Sequence, residues 1–273
     1  MRFAIFGILV AIGVFNFTGS PQSVSSTELV VTEKESVFVV DDFTFPDVTA
    51  KAYGVFDIKT GKLLLSYNAK ESLPIASVTK LFTAATAFET NSVDEMLTVT
   101  TEDVASEGRA GKLVAGEEYR LRELLFPLLL ESSNDAAAVF ERTLGNIPFA
   151  GTYLADASGL SSNNLATVVE LAGEVRRVYL TFPQVFDVTR LKQHIGEYTG
   201  WVNNSPVHDL PDYRGGKHGY TKDSNRTLAA VFAEPLLDNR ELGYIILGSD
   251  NLKEDVVALR AVVEGSVHLE TVK

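Results

Sequence analysis

The sequence predicts an α+β fold in which strands from the beginning and the end of the folded body share one antiparallel sheet flanked by helices. Two observations predict it. A pair of apolar runs of strand length opens the body, and a second pair, followed by one more helix, closes it. Between the two pairs lies a block of segments with helical spacing.

The elements follow in order. Ala52–Ile58 and Lys62–Tyr67 are apolar runs separated by Lys59-Thr60-Gly61, a short turn ending on glycine, so they form a β-hairpin. Ala76–Glu89 carries apolar and small residues at helical spacing, with Ser and Thr at its start. Arg122–Leu130 is a second helix, which Pro127 is expected to kink unless it marks the first turn. A third helix runs from Asp135 to Leu144 and stops at Gly145. Thr167 and Glu170 have the spacing of a capping box, opening a helix that reaches about Val178. Arg226–Ala233 and Gly243–Ser249 are the closing strands, and Lys253–Val263 is the terminal helix. Glu35–Asp41 reads as an extra strand or adhesive edge with no assigned place. No internal repeat and no second domain boundary interrupt the body.

With 273 residues, 45% of them hydrophobic and 22% charged, the chain is long enough and apolar enough to bury a real core. Its 24 Lys+Arg against 36 Asp+Glu give a formal charge of -12, which argues against nucleic acid or an anionic membrane surface as the main partner. Without Cys there is no disulfide framework, no thiol nucleophile and no Cys-ligated zinc. His194, His208 and His268 lack ligand spacing, so neither metal nor cofactor is expected.

Met1-Arg2 precedes the apolar run Phe3–Phe17 and then Thr18-Gly19-Ser20-Pro21, the pattern of a basic start and apolar centre in an export signal. The run is short for a bilayer span, which needs ~17–25 residues. Residues 1–19 are expected to be a signal peptide or N-terminal membrane anchor, residues 20–44 a linker, and residues 45–273 one folded body. The expected location is extracytoplasmic, secreted or held at the membrane by the N-terminal segment alone.

Three local patterns carry chemistry. In Ser77-Val78-Thr79-Lys80, serine and lysine at i and i+3 share a helix face. A serine hydroxyl attacks a carbonyl only when a base takes its proton, and a desolvated amine can do so. In Ser132-Ser133-Asn134, a second hydroxyl can relay a proton while the amide holds a substrate carbonyl or the lysine. In Gly215-Gly216-Lys217-His218-Gly219-Tyr220-Thr221, a cation stands beside backbone bare enough for a substrate to pair with it. Each alone has an ordinary reading: a capping serine with a solvated lysine, a polar helix–helix loop, and a Gly-rich hairpin turn. Lys59-Thr60-Gly61 copies part of the third pattern but lies upstream of Ser77 and makes only the first hairpin's turn.

Order changes their weight. Ser132 follows Ser77 by 55 residues and Lys217 follows Ser132 by 85, the sequence of motifs found in penicillin-binding proteins and class A β-lactamases. With Asp57–Leu64, Leu73–Ala84, Leu128–Ala137 and Ala157–Asn164 in support, the chain from about Phe45 to Val263 resembles the low-molecular-mass penicillin-binding type of serine D-alanyl-D-alanine carboxypeptidase. The resemblance implies a β-lactamase/transpeptidase-like fold with a helical subdomain. It also implies that Ser77 attacks a D-Ala-D-Ala peptide bond of a peptidoglycan stem, with Lys80 accepting its proton. Ser132 would pass a proton to the departing D-Ala, Asn134 would orient the substrate amide, and Lys217 would add positive potential. The N–H groups of Ser77 and Tyr220 would form the oxyanion hole, and His218, Gly219, Tyr220 and Thr221 would line the substrate. β-Lactams would acylate the same serine.

The chain departs from that pattern at His218, where the family has Thr or Ser, and at Ser133, where it commonly has Gly. His218 is expected to add a pH dependence that His218→Thr removes, unless it is simply an outward strand residue. Because the sequence stops soon after the last helix, the C-terminal β-domain and amphipathic tail of many relatives are expected to be missing. Three other activities stay open: D,D-endopeptidase action, which uses the same residues, a class A-like β-lactamase, which lacks its E-x-x-L-N loop here, and a non-catalytic binder of peptidoglycan fragments.

Overall fold

The structure, a computed structural model, describes residues 36–41, 46–105, 107–108 and 111–271. The expected signal or anchor and most of the expected linker lie outside the described residues. Among those described, no helix is long and apolar enough to cross a membrane.

In chain order the principal elements are β1 (Ser36–Val40), β2 (Ala52–Asp57), β3 (Leu63–Tyr67), α1 (Thr79–Glu89), α2 (Leu121–Leu130), α3 (Asn134–Leu144), α4 (Val168–Thr181), α5 (Pro183–Arg190), β4 (Tyr213–Thr221), β5 (Asn225–Glu234), β6 (Arg240–Ser249), α6 (Leu252–Ser266) and β7 (Val267–Thr271). Five strands form an antiparallel sheet in the order β4-β5-β6-β2-β3, so first and last segments meet as β2 beside β6, with Tyr244 opposite Val55.

Period-2 alternation gives the sheet two buried faces. Ala229, Val231, Ile245 and Leu247 point into a core shared with α1 to α4 and Val185 and Phe186 of α5. Leu228, Ala230, Phe232, Tyr244 and Ile246 point into a second core shared with α6. The first hairpin forms as expected. The buried Asp57 carboxylate caps its turn through the N–H and hydroxyl of Thr60 and pairs with Arg240 on β6 at 2.7 and 2.9 Å.

The structure refines four readings. The helix assigned to Ala76–Glu89 is a 3-10 turn, Ala76–Val78, leading into α1. Of the two places open to Pro127, the structure takes the interior of α2, at its seventh position, and not the first turn. Residues 36–40, counted within the linker but read as an extra strand or edge without a place, form β1 and pair antiparallel with β7. The reason is Phe38, only 7% exposed, which the β-branched run carries into the second core. The Gly-rich stretch before β5 is not a turn but β4, a nine-residue edge strand. The capping box at Thr167 and Glu170 is present with both bonds, and α4 runs on to Thr181. There α5 begins with Pro183 in its first turn, where a missing N–H costs nothing.

Candidate active site

The 3-10 turn places Ser77 two residues before the first residue of α1, and α1 brings Lys80 back beneath it. Lys80 Nζ donates to Ser77 Oγ at 2.9 Å, to Asn134 Oδ1 at 2.9 Å and to the carbonyl of Ser158 at 2.5 Å. The amine is fully buried among these three acceptors. Burial pushes its pKa down to about 7, against the opposing pull of the Asp156 carboxylate. A lysine in that range is neutral often enough at neutral pH to take a serine proton. Ser77 itself is half-buried, and its hydroxyl lies 3.4 Å from the Ser158 carbonyl.

Two backbone positions around the serine are held in the left-handed region without glycine: Ala76 at φ 48° and Ser132 at φ 61°. Such residues cost about 1–3 kcal/mol each and persist where packing over-determines them. Here they sit immediately before the candidate nucleophile and at the candidate proton relay. Ser133 caps α3 by accepting from Ala136 N at 2.9 Å, which fixes Asn134 as the helix's first residue. From there the Asn134 amide bridges two elements. Its Oδ1 takes the Lys80 bond, and its Nδ2 donates to the carbonyls of Glu107 and Gly108 at 2.8 and 3.4 Å. Ser132 stands on the α2–α3 turn, and no hydrogen bond joins its hydroxyl to Ser77, Lys80 or Lys217 among the described residues.

β4 closes the other side. A Cβ on Gly219 would lie 2.5 Å from Ser77 N and 2.9 Å from Ala76 Cβ, so strand and turn are in direct backbone contact. Lys217 is 1% exposed, and its Nζ donates to the carbonyl of His218 at 2.7 Å. Burial, then the neighbouring charge of Lys80, holds it well below the ordinary lysine range.

Register divides the remaining strand residues. Lys217 and Gly219 pair with Ala229 and Thr227, on the side of the α1 to α5 core, whereas His218 pairs with Leu228 of the second core. His218 is half-buried, and burial, Lys217 and Lys80 depress it well below the usual histidine range. Tyr220 is 62% exposed beneath the Arg226 guanidinium. Thr221, expected at the substrate, instead spends its hydroxyl on the β4–β5 turn, 2.9 Å from Ser224 Oγ. The strand reverses direction there, which takes Thr221 out of the cluster.

The sequence offered Ala157–Asn164 only as support for the resemblance and assigned no role to the loop between residues 155 and 164, which supplies the third acceptor to Lys80. Asp156 gathers it. Oδ1 accepts from Ser158 N, Ser158 Oγ and Gly159 N at 2.7, 2.8 and 2.5 Å, and Oδ2 accepts from Ser161 N at 2.6 Å. Gly159, at φ 84°, is pressed against the Ala76 carbonyl, where any Cβ would clash. The Asp-x-Ser-Gly order, an Asx-turn signal, was the readable clue. Beyond the loop lies a cavity of about 240 Å³ lined by Glu107, Asn134, Glu141, Asp156 and Ser158. No group of three or more His, Cys, Asp or Glu side chains among the described residues could hold a metal ion.

The chain is similar to known proteins both in sequence and in fold. The D-alanyl-D-alanine carboxypeptidase family, peptidase S11, matches residues 40–148. A D-alanyl-D-alanine endopeptidase of Haemophilus influenzae is 31% identical over 139 residues, 45% of this chain and 48% of that protein, so the match spans about half the relative's length. Among solved structures, a D-alanyl-D-alanine carboxypeptidase of Mycobacterium tuberculosis superposes with a TM-score of 0.73 at 22% identity, covering 82% of this chain and 95% of the other. Penicillin-binding protein D2 of Listeria monocytogenes, in its cefotaxime-bound form, gives 0.67 at 20% identity, covering 81% and 98%. At those identities the superpositions speak for the fold, an α+β transpeptidase-type architecture around the five-stranded sheet.

Proposed function

We propose that the chain is a serine D,D-peptidase of the D-alanyl-D-alanine carboxypeptidase family whose model matches residues 40–148, and that it removes the terminal D-Ala from peptidoglycan stem peptides through an acyl-enzyme on Ser77. Ser77 Oγ bonds to the carbonyl carbon of the penultimate D-Ala while its proton passes to Lys80. The C–N bond to the last D-Ala then breaks, and that amine leaves with a proton relayed through Ser132. Water hydrolyses the ester and restores the serine. Asn134 keeps the Lys80 amine aimed, and Lys217 supplies positive potential for the substrate carboxylate. The N–H groups of Ser77 and Tyr220 receive the oxyanion.

One observation carries the reading: a fully buried lysine, depressed to about 7, lies 2.9 Å from a serine hydroxyl at the mouth of a helix. Neither a capping serine nor a solvated lysine has any need of that arrangement. By the same chemistry, β-lactams would acylate Ser77. Export follows from the reading, since the stem peptide lies outside the cytoplasmic membrane, and residues 1–19 have the composition to direct it.

The test is release of D-Ala from a peptide ending in D-Ala-D-Ala by the purified full-length chain, beside Ser77→Ala. Release by the parent alone supports the carboxypeptidase. The endopeptidase name of the Haemophilus influenzae relative favours a second reading, cleavage of D-Ala-linked crosslinks. Turnover of a crosslinked peptide dimer, with the D-Ala-D-Ala peptide untouched, would select it.

A further inference from the structure

We propose that Asp156 is a positioning residue for the base of this site: it holds the Ser158 carbonyl against Lys80 Nζ, and so fixes where the amine stands when it takes the Ser77 proton. The inference rests on the serine D,D-peptidase reading and adds a residue to its machinery.

The connection can be followed atom by atom. The Asp156 carboxylate accepts three backbone N–H groups and one hydroxyl, all from Ser158, Gly159 and Ser161. Those bonds turn the chain so that the carbonyl of Ser158 faces the helix, and Lys80 Nζ meets it at 2.5 Å. The loop is pinned to α1 on either side of that contact. Asn164 Nδ2 donates to Thr79 Oγ1 at 3.1 Å and to the Asp156 carbonyl at 3.1 Å, and Thr83 Oγ1 donates to the Ala157 carbonyl at 2.8 Å. Thr79, Lys80 and Thr83 therefore all take partners from residues 156–164. An ordinary surface loop has no reason to be fastened three times to the helix that carries the base.

Charge gives Asp156 a second effect. Its hydrogen bonds keep the carboxyl ionised, below the usual carboxylate range, even though burial opposes this. An anion there favours the Lys80 ammonium. The other groups bearing on Lys80 are Lys217 from β4, with His218 beside it, and Glu107 and Glu141 across the adjoining cavity. Burial pushes the proton off Lys80, and Asp156 draws it on. Together they leave the amine near 7.

The experiment follows acylation of the purified full-length chain by a chromogenic cephalosporin between pH 5 and 9, for the parent, Asp156→Asn and Asp156→Glu, each checked for folding by near-ultraviolet circular dichroism. Lys80 must be neutral to act, so the rate rises with pH through its pKa. Asp156→Asn removes the anion, and the midpoint of that rise moves to lower pH by about half a unit or more. Its plateau rate falls about tenfold or more as the carbonyl loses its aim. Asp156→Glu keeps the charge but displaces it, so its midpoint stays with the parent while the plateau falls. An Asn midpoint that stays put or moves upward overturns the inference, as does a Glu variant with the parent's plateau. If Asp156→Asn does not fold, the Glu variant decides alone by the same criterion. A folded parent that is never acylated overturns the peptidase reading and this inference with it; an acylated parent with unresponsive variants overturns this inference only.

Discussion

Gly219 on β4 lies so close to Ser77 that a Cβ at residue 219 would come within 2.5 Å of the Ser77 backbone nitrogen. That nitrogen and the N–H of Tyr220, the next residue along the strand, are the proposed oxyanion donors. Strand and turn can hold two donors at one point only if nothing stands between them. The Cβ would also lie 2.8 Å from Thr227 Oγ1, the hydroxyl that ties β5 to the Ile75 carbonyl.

Gly219→Ala is therefore expected to lower acylation by a β-lactam about 100-fold or more, because a shift of about 1 Å at such a site has that effect. The protein should remain folded, since β4 is an edge strand with only one neighbour. Single-turnover acylation rates of the two proteins, with circular dichroism of each, check it. An alanine variant with the parent's rate removes the backbone contact from the account.

The Lys80 pKa of about 7 sets the shape of the pH profile. Acylation should be half-maximal near that pH on the acidic side and rise above it, because only the neutral amine accepts the Ser77 proton. Lys80→Ala should lose about 10²–10⁴-fold in rate at every pH. A parent profile flat from pH 5 to 9 would assign the proton to another group.

Two buried lysines also affect stability, and the sign can be fixed. The folded pKa of Lys80 lies below its unfolded value, and so does that of Lys217. Between the two values the unfolded chain binds more protons, so the folded state gains stability as pH rises from about 7 toward 10. The melting temperature should increase over that window up to about pH 9, before tyrosines begin to ionise. Lys217→Met should raise the melting temperature at pH 7 and flatten its rise, while slowing acylation. Scanning calorimetry of both proteins from pH 6 to 9 checks the prediction; a melting temperature that falls over this window in the parent contradicts it.

His218 is expected to leave a narrower mark than the sequence suggested. Burial and the charges of Lys217 and Lys80 hold its imidazole neutral to well below its ordinary pKa of 6.5. The profiles of the parent and His218→Thr should therefore overlay in shape above pH 6.5 and part below it. Divergence confined to higher pH would mean that the imidazole is charged in the free protein.

What could be read in the sequence was what is local. Ser77 and Lys80 are three residues apart, so helical geometry alone brought them to one face. The hairpin at Asp57, the capping box at Thr167 and the period-2 strands β5 and β6 were legible for the same reason. The meeting of Asn134 with Lys80 spans 54 residues; the chemistry of an Asn amide offered it as one of two uses, and no local spacing could choose between them. β4 was obscured because Gly215 and Gly216 look like a turn. Close packing demands them instead: a Cβ at 215 would lie 2.6 Å from Thr189 Oγ1, and one at 216 would lie 2.5 Å from the Ala229 carbonyl. The Asp156 loop has no periodicity, and its fit to α1 is a tertiary property that no local pattern encodes. Thr221 fell the other way, a motif residue by position whose hydroxyl local turn chemistry claimed.

Every step proposed for this site depends on Ser77 being an acylating nucleophile with Lys80 as its base. Intact mass of the purified full-length chain after incubation with benzylpenicillin, beside Ser77→Ala, tests it most directly. The account predicts one penicillin bound covalently to the parent and none to the variant, with the adduct outlasting removal of free drug. A folded parent that gains no mass, or a Ser77→Ala variant that gains as much, would contradict it.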